Sequence, residues 1–448
     1  MKRHLAYCLA LLASGCATYH PVPLSLDGGG VDLSLASIQA VLARDAQTID
    51  RPYLTPTAID LSRPLDLNAI SVIAVIANPD LKAMRVRAGV SEAQVFSARL
   101  IPDPTFSIGA NKVLSGPDPF LDLASAVGQD INALRTRGAR IAVARAQAQQ
   151  VRLDLAWAEW QTAGQARIQA VRIAGLERTY ALARASYEAT ASLLDRTMRA
   201  AGRGDLNPDQ VQAARLSAYS AQQQLRTSQR DLTTARFELT RLLGLPPGTE
   251  LALAALPLPA PPPSADVLFA LALRDRTDLH ALQAGYASQE ASVRLAVLNQ
   301  FPTLTFTAHA NRDSAGNQLL GPSIDFTLPL WNRNRGGIAI ERATRAALKA
   351  EYDGRVYQTR AQIAAAVGGI AVARSQRETV LKGLPALRTF AAATARAAKR
   401  GDLAPATAQT AAQSLRDQET LLTQTTQDLE EQTIALELLT GTPRETWP

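Results

Sequence analysis

Four histidines and two cysteines are the residues of this 448-residue chain best suited to metal or nucleophilic chemistry, and none stands in company that would use it. His4, His20, His280 and His309 are scattered, without carboxylates or thiols at ligand spacing. Cys8 and Cys16 are too few for a Cys-rich metal centre or a disulfide-stapled fold. Gly28-Gly29-Gly30 follows no strand pattern and opens no phosphate-binding helix, so it reads as a loop. There is no Walker sequence, no nucleophile elbow and no acid/base pair. The expectation is a protein without catalytic residues, cofactor or metal site, and therefore not an enzyme.

Composition narrows the class further. With 47% hydrophobic and 19% charged residues the chain is too apolar to be disordered. Lysine plus arginine exceed aspartate plus glutamate by 47 − 40 = +7, but the excess forms no blocks and aromatics are only 5%, so no nucleic-acid partner is expected. Beyond the N-terminus no apolar run approaches the roughly 18 residues of a spanning helix.

The first residues form an address. Lys2 and Arg3 precede an apolar stretch, Leu5 to Ala13, and the small residues Ala13, Ser14 and Gly15 lead to Cys16. Residues 1–15 read as a secretory signal. Their ending resembles a bacterial lipobox, with Ala13 where leucine is usual, which implies acylation of Cys16; an ordinary signal cut nearby is the alternative. By analogy with lipoprotein sorting, Ala17 in place of aspartate is compatible with passage to the outer membrane. Residues 16–65 are expected to be a lipidated arm packed along the outside of the body.

The remainder is a duplication. Asp80-Leu81 recurs as Asp278-Leu279 and Arg137-Gly138 as Arg335-Gly336, both 198 positions on. Pro102 and Phe106 recur as Pro302 and Phe306, and Gly204-Asp205-Leu206 as Gly401-Asp402-Leu403. An offset this constant predicts two structural repeats, 66–250 and 266–443, joined by a Pro-rich linker, 251–265, and followed by a tail, 444–448. Each repeat is expected to run short helix, two strands, long helix, tip turn, return helix. The short helices are placed at Leu81–Leu100 and Leu279–Gln300, each behind an aspartate N-cap. The long helices are placed at 137–201 and 336–399, the return helices at 208–243 and 405–440. About 65 helical residues span roughly 100 Å at 1.5 Å per residue, which no globular core matches. One long helix must therefore run against two shorter ones set end to end. Leu225, Leu232, Leu239 and Leu242, repeated as Leu422, Leu429, Leu436 and Leu439, mark coiled-coil seams.

The strands ask for partners. In Thr303 to Asn311, Leu304, Phe306, Ala308 and Ala310 alternate with polar residues; in Ser323 to Leu330, Ile324, Phe326 and Leu328 do so. Phe106 and Ile108 alternate in the first repeat, whereas Leu121 to Ile131 alternates poorly. Half-buried hairpins of a soluble sheet are one solution. The other sets Phe106, Ile108, Leu304, Phe306, Ile324, Phe326 and Leu328 against lipid. Four strands cannot close a barrel and open edges are not tolerated in lipid, so three chains would pool 3 × 4 = 12 strands.

At this point the chain resembles the TolC-like outer-membrane efflux proteins. The residues that carry the likeness are Asn78-Pro79-Asp80-Leu81, Ile101-Pro102, Phe301-Pro302, Gly321-Pro322-Ser323 through Leu328-Pro329-Leu330-Trp331, and Asn332-Arg333-Asn334-Arg335-Gly336. With them go Gly202-Arg203-Gly204-Asp205-Leu206 and Arg400-Gly401-Asp402-Leu403 at the helical tips. The family implies a mainly α fold with a small β part: a homotrimeric channel-tunnel, anchored in outer-membrane lipid by a twelve-stranded barrel and continued across the periplasm by a helical barrel. It implies a passive duct for an inner-membrane pump, joined through a periplasmic adaptor; docking is expected at the tips, on Arg203, Gly204, Asp205, Leu206, Arg400, Gly401, Asp402 and Leu403, the alternative being that Gly-Asp-Leu is only a helix-turn-helix connector. The stretch Pro329 to Gly336 is most similar to the branch serving heavy-metal cation pumps, within a frame that drug-efflux relatives share. Paired aspartates that narrow the tunnel in some members are replaced here by Thr407 and Thr410. The competing reading is a periplasmic coiled-coil adaptor or structural lipoprotein without a pore.

Overall fold

The structure, a computed structural model, describes residues 19–24, 34–118, 120–255 and 257–448. The signal segment, Cys16, Gly28-Gly29-Gly30 and Leu256 lie outside the described residues.

The elements, in chain order, are α1 Leu35–Asp45, α2 Leu67–Ala77, α3 Pro79–Arg99, β1 Thr105–Lys112, β2 Leu121–Asp130, α4 Ile131–Gly202, α5 Pro208–Leu242, α6 Ala265–Asp275, α7 Thr277–Leu298, β3 Leu304–Arg312, β4 Gln318–Phe326, α8 Arg335–Arg400 and α9 Pro405–Thr440. The duplication holds, and it has a member the periodicities conceal: α2 and α6, both of 11 residues, stand ahead of α3 and α7. In α2, LNAISVIAVIA, eight residues are buried, so no polar face marks it as a helix. A second concealed helix, α1, lies inside the arm and packs on α2.

The long helices exceed expectation slightly. α4 has 72 residues, roughly 108 Å, and starts directly from β2 because Asp130 caps it through Ala133 N–H. α8 has 66 residues. Its start is a corner in which Arg333 and Asn334 take positive φ of 44° and 52°. Asparagine tolerates that region, and the Asn334 amide donates to the carbonyl of Ala296 on α7 at 2.8 Å. The Asn-Arg-Asn-Arg-Gly stretch thus has a geometric task, turning strand into helix. The short helices are capped differently from the sequence expectation. Asn78, not Asp80, caps α3, with Pro79 in its first turn; α7 has no side-chain cap.

Contacts order the helices side by side. α4 packs against α3 and α5 on one flank and against α7 and α9 on the other; α8 packs against α7 and α9. Within its own repeat each long helix therefore faces two shorter ones, as the lengths require, and α4 faces the second repeat's pair as well. The α4 seam is small: Ala133, Ala139, Ala148, Ala163, Ala166 and Ala170 are buried. On α5 Leu232 and Leu239 pack against this seam at Ala166 and Ala170, while on α9 Leu429 and Leu436 are buried against Ile363, Ile370 and Ala373 of α8; Leu225 and Leu422, nearer the tips, are only partly covered. The main core gathers α1, α2, α4 and α5 around Ile70, Ile73, Ile173, Leu239 and Leu243.

The four strands form one antiparallel sheet in the order β1-β2-β3-β4, leaving β1 and β4 as edges. Among the described residues no single helix is long and apolar enough to cross a membrane.

Candidate functional site

Strand register decides what the sheet can do. Directly paired residues of antiparallel strands share a face. Phe106 pairs with Val127, Val127 with Ala308 and Ala308 with Pro322. Ile108, Ser125, Ala310 and Leu320 form the next row; Phe306 with Ile324 and Leu304 with Phe326 lie below. Six of the seven apolar candidates, Phe106, Ile108, Leu304, Phe306, Ile324 and Phe326, therefore share one face of the sheet, on β1, β3 and β4. All six are exposed, Phe106 and Ile108 by 68% and 77%. The seventh, Leu328, is corrected: β4 ends at Phe326, so Leu328 is exposed but beyond the paired strand.

The opposite face carries Thr105, Ser107 and Asn111 of β1, Thr305, Thr307, His309 and Asn311 of β3, and Ser323 and Asp325 of β4. His309 Nε2 lies 2.6 Å from Ser323 Oγ, so the ring is held by a strand neighbour. β2, whose alternation looks poor in sequence, follows the division only in part: Leu121, Leu123 and Val127 lie on the apolar face together with the polar Ser125 and Gln129, and Asp122, Ala124, Ala126, Gly128 and Asp130 lie on the other. Most of its polar-face positions are small rather than polar, which hides the period.

The two tips are built alike. Gly204 and Gly401 adopt φ of 84° and 85°. Asp205 N–H bonds to Ala200 O and Gly204 N–H to Ala201 O; Asp402 and Gly401 repeat this on Ala397 and Ala398. Both are Schellman stops, which need an achiral residue at the left-handed position. Arg203 reaches Asp205 at 3.1 Å and Arg400 reaches Asp402 at 2.7 Å, all four side chains exposed. Leu206 and Leu403 are half-buried. The tips differ after the turn: Asn207 and Gln210 form a reciprocal capping box on α5, whereas α9 has no side-chain cap. A cavity of about 530 Å³ joins them, lined by Leu193, Asp205, Leu206, Ala214, Ala404 and Pro405. Thr407 and Thr410 are exposed.

Sequence reasoning misses the polar network locking the repeats together. Glu437 of α9, with no exposed surface, is 2.6 Å from Arg167 of α4 and 2.9 Å from Arg444. Arg444 also donates to Glu430 at 3.2 Å, docking residues 444–446 as a short 3-10 turn. Burial pushes both carboxyls above the usual glutamate range, and the neighbouring arginines only partly offset this. A raised carboxyl pKa means the folded chain holds protons that the unfolded chain has released, so this contribution to stability falls as pH rises above about 4.5. Glu430→Gln is accordingly expected to gain stability relative to wild type as pH rises above about 4.5, and to level off once the folded carboxyl has ionised, read as the difference in thermal midpoints. A difference that shrinks, or that never grows, as pH rises above about 4.5 contradicts the assignment. On the other side of α4, Glu159, 1% exposed, receives Arg51 at 2.5 Å and Arg85 at 2.7 Å. A sequence signal for the first network exists: Glu430 and Glu437 are seven apart, each immediately after a seam leucine.

Known proteins agree with this geometry. Residues 268–442, from α6 to α9, match the family model described as outer membrane efflux protein. No curated protein sequence matches the chain. Among solved structures, the outer membrane channel CmeC of Campylobacter jejuni aligns with a TM-score of 0.71 at 14% identity, covering 84% of this chain and 85% of its own. The outer membrane protein VceC of Vibrio cholerae aligns at 0.68 and 16%, covering 84% and 96%. The open state of the MtrE outer membrane channel of Neisseria gonorrhoeae aligns at 0.67 and 17%, covering 84% and 89%.

Proposed function

We propose that this chain, which carries an outer membrane efflux protein domain in its second repeat and the fold of the TolC-like channels over most of its length, is the outer-membrane duct of a tripartite efflux system. Three copies line one water-filled passage; the protein performs no catalysis, and a pump in the inner membrane supplies the energy through a periplasmic adaptor. Cys16 carries a lipid that adds an anchor beside the barrel.

The observation that carries this reading is the mostly apolar, exposed face of a sheet whose two edges are unpaired. In lipid those edges must be closed, and 3 × 4 strands from three copies close them. The helical wall points the same way. Inside the chain α4 packs against the α7/α9 pair. α8 carries exposed Ile340, Tyr357 and Phe390, and α3 and α5 carry exposed Phe96, Leu216 and Tyr219. These exposed apolar side chains are available for packing between copies, as α4 packs on α7 and α9 within one chain.

The direct test is reconstitution. The detergent-extracted protein is expected to run as a trimer and to open conductive pores in planar bilayers. A monomer in the soluble periplasmic fraction would establish the pore-free adaptor reading instead. At the tips, Leu206 and Leu403 are the apolar contacts available to an adaptor. Leu206→Asp with Leu403→Asp should leave trimer and conductance unchanged, while lowering adaptor cross-linking and export about tenfold, the effect of about 1.4 kcal/mol of lost contact. Unchanged cross-linking would move the docking surface away from the tips.

A further inference from the structure

Charge is sorted by face on the sheet. The strand pairing puts Lys112 and Arg312 on the apolar face and Asp122, Asp130 and Asp325 on the opposite one, and no other paired position carries Asp, Glu, Lys or Arg. Both cations stand at the hairpin end, away from the helices that enter and leave the sheet: Lys112 closes β1 and Arg312 closes β3. Neither makes an ion pair among the described residues. The Arg312 guanidinium lies instead over the Phe120 ring, 4.8 Å from its centroid. The carboxylates of the adjoining loops are held by their own neighbours: Ser314 Oγ donates to Asp118 at 2.8 Å, and Asn317 N–H donates to Asp313 at 2.7 Å.

Below these cations the apolar face is hollowed. In the row of Ile108, Ser125, Ala310 and Leu320 the two inner strands carry small side chains and the two outer strands large ones. A hollow of about 640 Å³ results, walled by Ile108, Leu123 and Leu320 and reaching Arg312 and Gln318 at its upper end. Seven of its ten lining residues belong to rows of the apolar face, so it opens on that face. Ser125 Oγ donates to the carbonyl of Ala310 at 3.0 Å, which leaves the floor with no demand for a polar partner. Leu320 is 85% exposed, so the wall needs an apolar cover.

We propose, resting on the membrane orientation given above, that this hollow binds one outer-leaflet lipid with an anionic phosphate headgroup. An acyl chain lies over Ser125 and Ala310 between the Ile108 and Leu320 walls, and the phosphate sits between Lys112 and Arg312. These two residues are two strands and two positions apart, about 12 Å between Cα atoms, a gap that two long side chains close from either side. Arg312, steadied by Phe120, offers the planar fork that suits phosphate oxygens, and Lys112 offers a point charge. A soluble anion would answer the cations and leave the walls in water. A neutral lipid would cover the walls and leave two cations without counter-charge. A second copy of the chain joins through the strand edges and not through this face.

The experiment strips lipid from the detergent-extracted full chain and offers it equal amounts of phosphatidylglycerol and phosphatidylcholine with identical chains, counting retained lipids by native mass spectrometry. Wild type is expected to prefer the anionic lipid about 25-fold, roughly fivefold for each cation. Lys112→Gln should lower the preference to about fivefold, and Lys112→Gln with Arg312→Gln should abolish it. Both positions are exposed, so the thermal midpoint should not move. Arg215→Gln with Lys382→Gln removes the same charge from exposed sites on the helical wall and should keep the full preference. Glycerol phosphate, which lacks the chains, should displace the lipid poorly. The proposal is overturned if wild type retains both lipids equally, if the double variant keeps its preference, or if the helical-wall control loses as much. Displacement by glycerol phosphate at the lipid's own concentration also overturns it, in favour of a soluble anion. Retention of both lipids without preference leaves the duct standing, whereas retention of neither overturns the duct reading along with this one.

Discussion

Arginine at Ile108 is expected to abolish the membrane-inserted trimer, arginine at Phe326 to leave most of it, and arginine at Thr307 to leave all of it. The register dictates this gradation. Leu304 to Arg312 makes eight steps along β3, about 27 Å at roughly 3.4 Å per step, and a tilt of 35–45° leaves about 20 Å of height, close to the ~25 Å apolar band of outer-membrane barrels. Ile108 lies in a row with Ser125, Ala310 and Leu320, near mid-height, where a buried Arg costs roughly 2–4 kcal/mol per chain, threefold that in the trimer. Phe326 is the last residue of β4, at the level where the cost falls to about 0–1 kcal/mol. Thr307 belongs to the opposite, polar face. Lys112 pairs with Leu121 at one end of the apolar face, and Arg312 sits in the row of Leu123, so cations already mark the outer boundary. The check is the yield of heat-resistant trimer in outer-membrane fractions. Full yield with Ile108→Arg, or total loss with Thr307→Arg, would mean that the apolar face does not contact lipid.

That test depends on face assignment, and faces were the part of the sheet legible in the sequence. Alternation in β3 named Leu304 and Phe306 directly, because its opposite row is threonine, histidine and asparagine. It failed for β2, where Ala124, Ala126 and Gly128 fill the polar row; only pairing with β1 and β3 reveals the period there. It overran β4 to Leu328, since Leu328 and Leu330 continue the alternation after the backbone pairing has stopped. Helix lengths and the leucine seams were legible for a related reason: both are set by local spacing, and duplication supplied each signal twice. α2 and α6 were not, because a helix of only 11 residues offers few turns in which to show a period, and α2 is buried on nearly every side. The tips were legible as Gly-Asp-Leu turns, but the groove linking them needs α4, α5 and α9 side by side. The same holds for the hollow over Ser125 and Ala310, whose walls come from strands of both repeats.

Glu437→Ala should be the most destabilising single substitution in the helical wall. The side chain it removes is the shared partner of Arg167, at 2.6 Å, and Arg444, at 2.9 Å, whose side chains are only 11% and 17% exposed. Breaking a buried ion pair from one side leaves uncompensated charge and costs about 3–5 kcal/mol, more than the pair itself is worth. Arg167 on α4 of the first repeat is stranded, and Arg444 on the tail of the second is left with Glu430 at 3.2 Å, so the repeats and the tail should loosen together. The expected result is a much lower thermal midpoint together with protease access to residues 444–448. Because the penalty lies in the stranded charges, Glu437→Leu combined with Arg167→Met and Arg444→Met should recover most of the loss, whereas alanine at Glu431, whose contact with Arg172 is a half-exposed 3.2 Å pair, should cost under about 1 kcal/mol. If the triple variant were no better than Glu437→Ala alone, the network's value would lie in its hydrogen bonds and shape, and the charge account would fail.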